Sequence, residues 1–498
     1  MDDKRLNSYA PLMLNDGDYE EKLKTYYGDM LVFKSSANSK FFSALSLPSF
    51  MRDWLVMRFS NSDGVIDKQE VSDYVKRVIP KKEQWNEYLV DLLHNNQTAR
   101  FLAKIKIDFD AKTKTALFSL PDFEVPKKKG EAIVDWDVIE ANRDYLLSPT
   151  EVWGIVEIDI EEGEKGNVFK LVNFQPFCPY TIDLDYYIEA RQYFNIDEWI
   201  NVLLSAIDYN PKGYVSKTQK MTMLSRLLPF VEKRINLIEL APKETGKSYL
   251  FSQISKYGWL VSGGSISRAK MFYDISKRTQ GLVSRYDYVA LDEIQSIKFT
   301  DAMEMQGALK GYLESGEYRV GDSRGVGDAG FILLGNIDAE LMDINQNMFK
   351  NLPEIFHESA LLDRFHGFIK GWNIPKMKES LKANGWALNT EYFGEIMHHL
   401  RDELSYRAVV DQLLQLPKHS ATRDTEAIKR ICTGFLKLLF PNATDVSKVD
   451  IALFETYCLA PAMEMRRVIK TQLGIIDEGE FGGAAIPEIT IKEQYYES

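Results

Sequence analysis

Residues 237–248 read Leu-Ile-Glu-Leu-Ala-Pro-Lys-Glu-Thr-Gly-Lys-Ser: an apolar run, a turn, then a Gly-Lys-Ser that opens a helix. This is the pattern of a phosphate-binding loop. Its backbone N–H groups curl around phosphates, its Lys reaches the β- and γ-phosphates, and its hydroxyl goes to Mg²⁺. Pro242, Lys243, Glu244, Thr245, Gly246, Lys247 and Ser248 are the candidate nucleotide-binding residues, with Ser248 also a candidate metal ligand. The pattern departs from G-x-x-x-x-G-K-[ST] at one place, where Ala241 and then Pro242 stand at the usual first glycine. A plain strand-turn-helix is the alternative, and the choice depends on what surrounds the loop.

Downstream, Trp259-Leu-Val-Ser-Gly-Gly264 reads as a short strand ending in glycines, followed by a helix around Arg268 to Lys277. Next comes Tyr286-Asp-Tyr-Val-Ala-Leu-Asp292-Glu293, an apolar strand ending in two acids. Behind a phosphate loop, Asp292 is placed to hold Mg²⁺ and Glu293 to polarise the attacking water. Ala329 to Asn336 is a further apolar strand ending in an amide, which reads either as a sensor of the γ-phosphate or as a turn Asn. Arg364 precedes the apolar run Phe365 to Ile369; it is either a finger acting on a neighbouring subunit's phosphate or part of a surface ion-pair group around Asp363. Ligands bind at the C-terminal edge of open α/β sheets, where all four signals are expected. Their order is that of an AAA+ module, and the absence of N-K-x-D for reading guanine makes ATP the expected nucleotide.

Between Glu314 and Gly330 a glycine-rich text stands just before the Asn336 strand. It looks like the hairpin that MCM-type AAA+ proteins insert there, with Tyr318 to Gly321 and Val326 to Ala329 flanking a tip at Asp322 to Gly325. Arg319 and Arg324 are then candidate DNA contacts; a structural loop pinned by glycine is the other reading.

With 498 residues the chain is too long for one ordinary core and suggests about three domains. A formal net charge of -12 argues against a globally basic nucleic-acid coat but leaves room for a locally basic channel. Cys178, Cys432 and Cys458 are widely spaced without C-x-x-C, which fits core thiols in a reducing compartment. The start Met1-Asp-Asp-Lys-Arg offers no leader and no later run is long enough to span a bilayer, so a cytoplasmic protein without membrane contact is expected.

In order, the expectation is a multidomain α/β chain. Residues 1–97 read as an N-terminal helical domain with a turn at Ser60 to Gly64 and a basic run at Lys76, Arg77, Lys81 and Lys82, either a DNA contact or a solvated helix end. Residues 98–185 read as a small antiparallel, OB-like β domain: Phe101, Ala103, Ile105, Ile107 and Phe109 alternate with more polar partners, Thr115 to Leu120 returns, and Trp153–Ile160 and Val168–Phe174 add strands around the turn Glu161 to Gly166. Lys112, Lys114 and the run Lys127 to Lys129 lie in its loops, where they track a nucleic-acid backbone or simply solubilise. Residues 186–233 are a helical linker, 234–376 the ATPase core, 377–474 a helical lid and 475–498 a tail. Arg466 and Arg467 are the lid's candidates for reaching the phosphates, with Arg467 preferred. His398-His399 lacks a second ligand pair and gives no zinc site.

The runs A-P-K-E-T-G-K-S, V-A-L-D-E-I, G-Y-L-E-S-G-E, F-I-L-L-G-N and L-L-D-R-F-H-G-F-I-K-G-W resemble the BrxL family, the Lon-related AAA+ proteins of BREX phage-defence systems. Tyr193 to Ile200 and Tyr209-Asn-Pro211 resemble that family's lead-in segment. The resemblance implies an MCM-like ring, hexameric or doubly so, that hydrolyses ATP with Mg²⁺, encircles double-stranded DNA and works with other BREX proteins. Long members carry a Ser-Lys peptidase domain after the ATPase; nothing after Leu473 fits one, so the short form without protease activity is expected. The alternatives in other classes are an unfoldase feeding a separate peptidase and a nucleotide-gated scaffold for defence proteins.

Overall fold

The computed structural model describes residues 19–496, apart from 46, 62–63, 96, 129, 148–150, 164–165, 277–278 and 419. Residues 1–18, Ser62 and Asp63 of the first turn, Lys129, Glu164 and Lys165 of the later turn, and Lys277 at the expected helix end lie outside the described residues. The chain forms two compact units, Met1–Met57 with Ile182–Ser498, and Arg58–Thr181. The helical stretch read over 1–97 is thus shared between them. Its first part is held in the larger unit because Leu31–Lys34 forms an antiparallel ladder with Gly385–Leu388, and Asp53 accepts the Thr390 N–H at 2.9 Å.

In the smaller unit, β1 (Ala99–Asp110), β2 (Thr115–Ser119), β3 (Ala132–Val134), β4 (Val152–Gly163) and β5 (Gly166–Pro176) close into a barrel in the order β1-β2-β3-β5-β4. The pairs are antiparallel except β3 with β5. Phe101, Ala103, Ile105 and Ile107 face the core as their alternation predicts. Phe109 does not: it is exposed and stacks on exposed Trp136, ring centroids 5.7 Å apart. β3 escaped the sequence reading because three residues are too few to show a period.

The larger unit is built on a parallel sheet. Its strands are β6 (Asn236–Ala241), β7 (Gly258–Ser262), β8 (Tyr288–Asp292), β11 (Gly330–Asn336) and β12 (Gly367–Lys370), with the hairpin β9 (Glu317–Val320) and β10 (Ser323–Val326) inserted before β11. The sheet order is β12-β6-β11-β8-β7, every pair parallel. β6 and β8 are buried throughout, as continuous apolar runs covered on both faces should be. The helices of this unit include α1 (Ile196–Ala206), α2 (Lys217–Ser225), α3 (Lys247–Gln253), α4 (Ala302–Ser315), α5 (Thr390–Leu400), α6 (Ser405–Leu413), α7 (Thr422–Leu439) and α8 (Ala460–Ile476). α1 starts at a reciprocal cap between Asn195 and Glu198, and buried Trp199 on its first turn donates Nε1–H to the Leu438 carbonyl of α7 at 2.9 Å. α4 ends where Gly316 takes φ 80° and returns its N–H to Tyr312.

Three sequence expectations change. The helix expected over Arg268 to Lys277 stops at Met271, and Tyr273–Asp274 pairs instead with Thr279–Gln280; Asp274 accepts the Ser276 N–H at 2.9 Å, a local turn that competes with helix. The hairpin is shifted by register: its tip is Gly321-Asp322, and Arg324 lies within β10 opposite Arg319. The described part of the 475–498 tail does not run free, since Thr490–Ile491 pairs with Leu414–Gln415 and Phe481 is buried in the main core.

Candidate functional site

The parallel registers bring the loop candidates to one edge of the sheet. Asn336 ends β11 beside Ala241, the last residue of β6, and Asp292 ends β8, the next strand over. The chain leaves β6 through Pro242 to Thr245, reaches Gly246 at φ 77° and enters α3 at Lys247. A side chain at Gly246 is excluded twice over: by the left-handed backbone and because a Cβ would sit 2.6 Å from the Tyr209 hydroxyl. That hydroxyl donates to the Gly246 carbonyl at 3.2 Å.

Lys247 is buried, and its Nζ donates to Asn336 Oδ1 at 3.0 Å. Burial lowers its pKa from the ordinary lysine value, against the attraction of Glu239 and Asp292. Asp292 is buried and accepts the Glu293 N–H at 2.9 Å; Glu293 is exposed and holds a left-handed backbone at φ 51°. A non-glycine residue in that conformation is held there at a cost of about 1–3 kcal/mol and marks a site over-determined by its surroundings. Gln295 fixes the amide strand from outside the sheet, its Nε2 donating to the Asn336 carbonyl at 2.7 Å.

Beneath the loop lies a pair that sequence reading passed over. Arg226, after α2, and Glu239, inside β6, are both fully buried, joined at 2.5 and 3.0 Å, and Arg226 Nη1 also donates to the Thr245 carbonyl at 2.9 Å. Its only signal was a charged residue in an otherwise apolar strand, Leu-Ile-Glu-Leu-Ala. The pair anchors the loop at its fourth residue, close to where Ala241 departs from the usual glycine.

The donor set fits a nucleotide and Mg²⁺. Ser248 is exposed at the start of α3, Asp292 and Glu293 stand two strands away, and the loop offers N–H groups at a helix N-terminus together with Lys247. Among the described residues no three His, Cys, Asp or Glu side chains gather as a cage. Asp292 and Ser248 are the oxygen donors that a Mg²⁺ would use, since that ion takes one or two protein ligands and completes its shell with phosphate and water.

Arg364 is not brought to this edge. It lies three residues before β12, whose first residue pairs with Leu237 near the start of β6, so it sits at the opposite end of the sheet from the loop. The expectation that all four signals share the C-terminal edge is corrected here. Arg364 pairs with Glu314 at 2.9 Å and donates to the Ala360 carbonyl. The alternative around Asp363 is not a surface pair either, because Asp363 is buried against Arg466 at 2.5 Å and Arg423 at 2.6 Å. Arg466 is itself fully buried and saturated by Asp363, Asp424 and the Phe365 carbonyl. Arg467 is exposed and pairs with Glu464, which also takes Lys370, the last residue of β12.

On the hairpin, Tyr318 and Val320 face inward while Arg319 and Arg324 project side by side from the exposed face. Lys112, Lys114, Lys127 and Lys128 are exposed in loops of the barrel unit. The Lys112 N–H is capped by Asp110, and the Lys128 N–H by Glu131.

Comparison with known proteins gives the family. The family model described as "Lon-like protease BrxL-like, ATPase domain" matches residues 169–486, and that of the "BREX system Lon protease-like protein BrxL N-terminal" matches 25–160. The Lon-like protease BrxL of Escherichia coli O9:H4 (strain HS) is 30% identical over 443 residues, 88% of this chain and 62% of that protein. The Lon-like protease BrxL of Bacillus cereus (strain H3081.97) is 33% identical over 336 residues, 66% of this chain and 48% of that protein. The chain therefore spans about half to three-fifths of the length of these curated relatives. No described helix is long and apolar enough to cross a membrane.

Proposed function

The chain belongs to the BrxL family and carries its ATPase domain, and on that footing we propose that it is a Mg²⁺-dependent AAA+ ATPase that assembles as a ring on double-stranded DNA and moves along it in BREX defence. The observation that carries the ATPase reading is the Lys247–Asn336 contact at 3.0 Å, which joins the loop to the sensor strand at the edge where Asp292 ends. Lys247 and the loop N–H groups bind the β- and γ-phosphates, and Ser248 and Asp292 hold the Mg²⁺ that neutralises their charge. Glu293 orients the attacking water and accepts its proton, while Asn336 keeps Lys247 and the water in line. Arg364, at the far end of its own sheet, completes the site of a neighbouring subunit, and Arg467 with Lys370 belongs to the lid side of the site.

Arg319 opposite Arg324 supports the DNA reading. Like charges directly across a hairpin repel, and a phosphate between them turns that cost into binding. The strand order β1-β2-β3-β5-β4 with one parallel closure supports the OB reading of the barrel, whose lysines would add phosphate contacts.

The test is Glu293→Gln. It keeps the side chain's shape, removes the proton acceptor, and is expected to retain ATP on an assembled particle while turnover falls by about two orders of magnitude or more. Ordinary turnover by this variant would remove Glu293 from the mechanism.

A further inference from the structure

Beside the start of α3 lies a cavity of about 320 Å³ bordered by Gly246 and Tyr249. Phe33, Asn38 and Phe42 of the N-terminal segment line it, with Met377 and Ala383 from the stretch after β12. We propose that this cavity receives the nucleobase of the bound nucleotide and that Asn38 reads it as adenine. The proposal rests on the ATP reading above and extends it to residues some two hundred positions earlier in the chain.

Position comes first. Phosphates held by the loop and Lys247 leave the rest of the nucleotide to extend along the first turn of α3, and Tyr249 is the residue after Ser248. Gly246 of the phosphate loop and Tyr249 of α3 both line the cavity, so it adjoins the phosphate cradle. Its volume lies at the lower end of the roughly 300–1,000 Å³ typical of small-molecule pockets, which suits one flat ring system.

Charge comes second. Five charged side chains line the cavity, and each meets an opposite charge: Lys34 meets Asp53 at 3.2 Å and Asp208 at 2.7 Å, Arg52 meets Asp208 at 3.0 Å, and Lys382 meets Glu379 just outside the lining at 3.1 Å. Tyr249 adds a hydrogen bond to Asp208 at 2.6 Å. Charges paired in this way leave the wall without a net charge, although Arg52 Nε keeps no hydrogen-bond partner, and a neutral ring is the occupant that suits such a wall.

Recognition comes third. Phe33 and Phe42 supply aromatic surface against which a base can pack. The Asn38 side chain is half-buried and has no hydrogen-bond partner among the described residues. A carboxamide presents one acceptor and one donor edge, which matches adenine's N6 amine and N7; guanine offers two acceptors at O6 and N7. The N-terminal segment that makes this wall is also the segment laddered to Gly385–Leu388, so filling the cavity would tie both to the nucleotide.

The experiment is calorimetric titration of the full chain with ADP, GDP and inorganic tripolyphosphate, for the wild type, Asn38→Leu, Phe42→Ala and Lys247→Ala. Asn38→Leu is expected to weaken ADP about tenfold and bring ADP and GDP to within about twofold of each other, leaving tripolyphosphate unchanged. Phe42→Ala is expected to weaken both nucleotides and not tripolyphosphate; as Phe42 is buried, its melting curve is measured beside it, and Asn38→Leu decides alone if that variant does not fold. Unchanged ADP affinity and preference in Asn38→Leu, with ADP still lost in Lys247→Ala, overturns the base pocket and leaves the ATP reading standing. A wild type that binds neither ADP nor tripolyphosphate overturns both.

Discussion

Arg226→Met separates the fold's use of the buried pair from the loop's. In the wild type Arg226 satisfies Glu239 through two nitrogens and the Thr245 carbonyl through a third, with no solvent access for either charged side chain. Methionine fills much of the same volume but strands the Glu239 carboxylate and the Thr245 carbonyl. Breaking a buried pair from one side costs about 3–5 kcal/mol, and an orphaned buried carbonyl about 1–3 kcal/mol more. A domain's net stability is about 5–15 kcal/mol, so the single variant should lose much of its margin. Arg226→Met with Glu239→Leu removes the stranded charge, and such apolar replacements are often neutral or stabilising, so it should return to within about 2 kcal/mol of wild type. The Thr245 carbonyl stays unpaired in both. Urea melts of the larger unit and the KM for ATP read the two effects separately. We expect the single variant to melt much earlier, the double to recover, and both to show KM raised about tenfold with the loop no longer anchored. A single variant costing less than about 1 kcal/mol refutes the stability argument; a double with wild-type KM refutes the anchoring.

Other consequences are more quickly checked. Replacing Arg319 and Arg324 together by Ser should flatten the salt dependence of duplex-DNA binding by roughly 1.8 in log–log slope, about 0.9 per lost phosphate contact, while nucleotide binding is untouched; an unchanged slope removes the hairpin from the interface. Burial pushes the Asp363 carboxyl up, but Arg466 and Arg423 overcome this and hold it below its ordinary value. Its contribution to stability is therefore present above the unfolded carboxylate pKa and lost as pH falls through the lower folded value. Asp363→Asn should destabilise the protein at neutral pH and show a shallower acid limb in a stability–pH profile; equal acid limbs would contradict the pairing.

Much of the site is legible in the sequence because it is written in local patterns. Gly246-Lys247-Ser248, Asp292-Glu293 and Asn336 each end or follow an apolar run, and apolar runs become parallel strands whose ends align. Family membership is legible for the same reason. The β alternation of Phe101 to Ile107 likewise gave the barrel's first strand, but not β3, which pairs only because β2 and β5 present their edges to it. What the sequence hides is partnership across distance. Glu239 finds Arg226, Asp208 collects Lys34 and Arg52, and Arg466 disappears into Asp363 and Asp424; no spacing rule announces any of these. The hairpin shows the limit in miniature: its glycines announced a turn, while the register that centres it two residues earlier and puts Arg319 opposite Arg324 goes with Tyr318 and Val320 being buried.

Whether ATP turnover serves duplex DNA is read most directly from the steady-state ATPase rate of the full chain with Mg²⁺ in the presence of duplex DNA, of an unfolded protein, and of neither. Duplex DNA is expected to stimulate hydrolysis severalfold, unfolded protein to leave it unchanged, and Lys247→Ala to abolish it. Stimulation by unfolded protein and not by DNA would contradict the DNA reading.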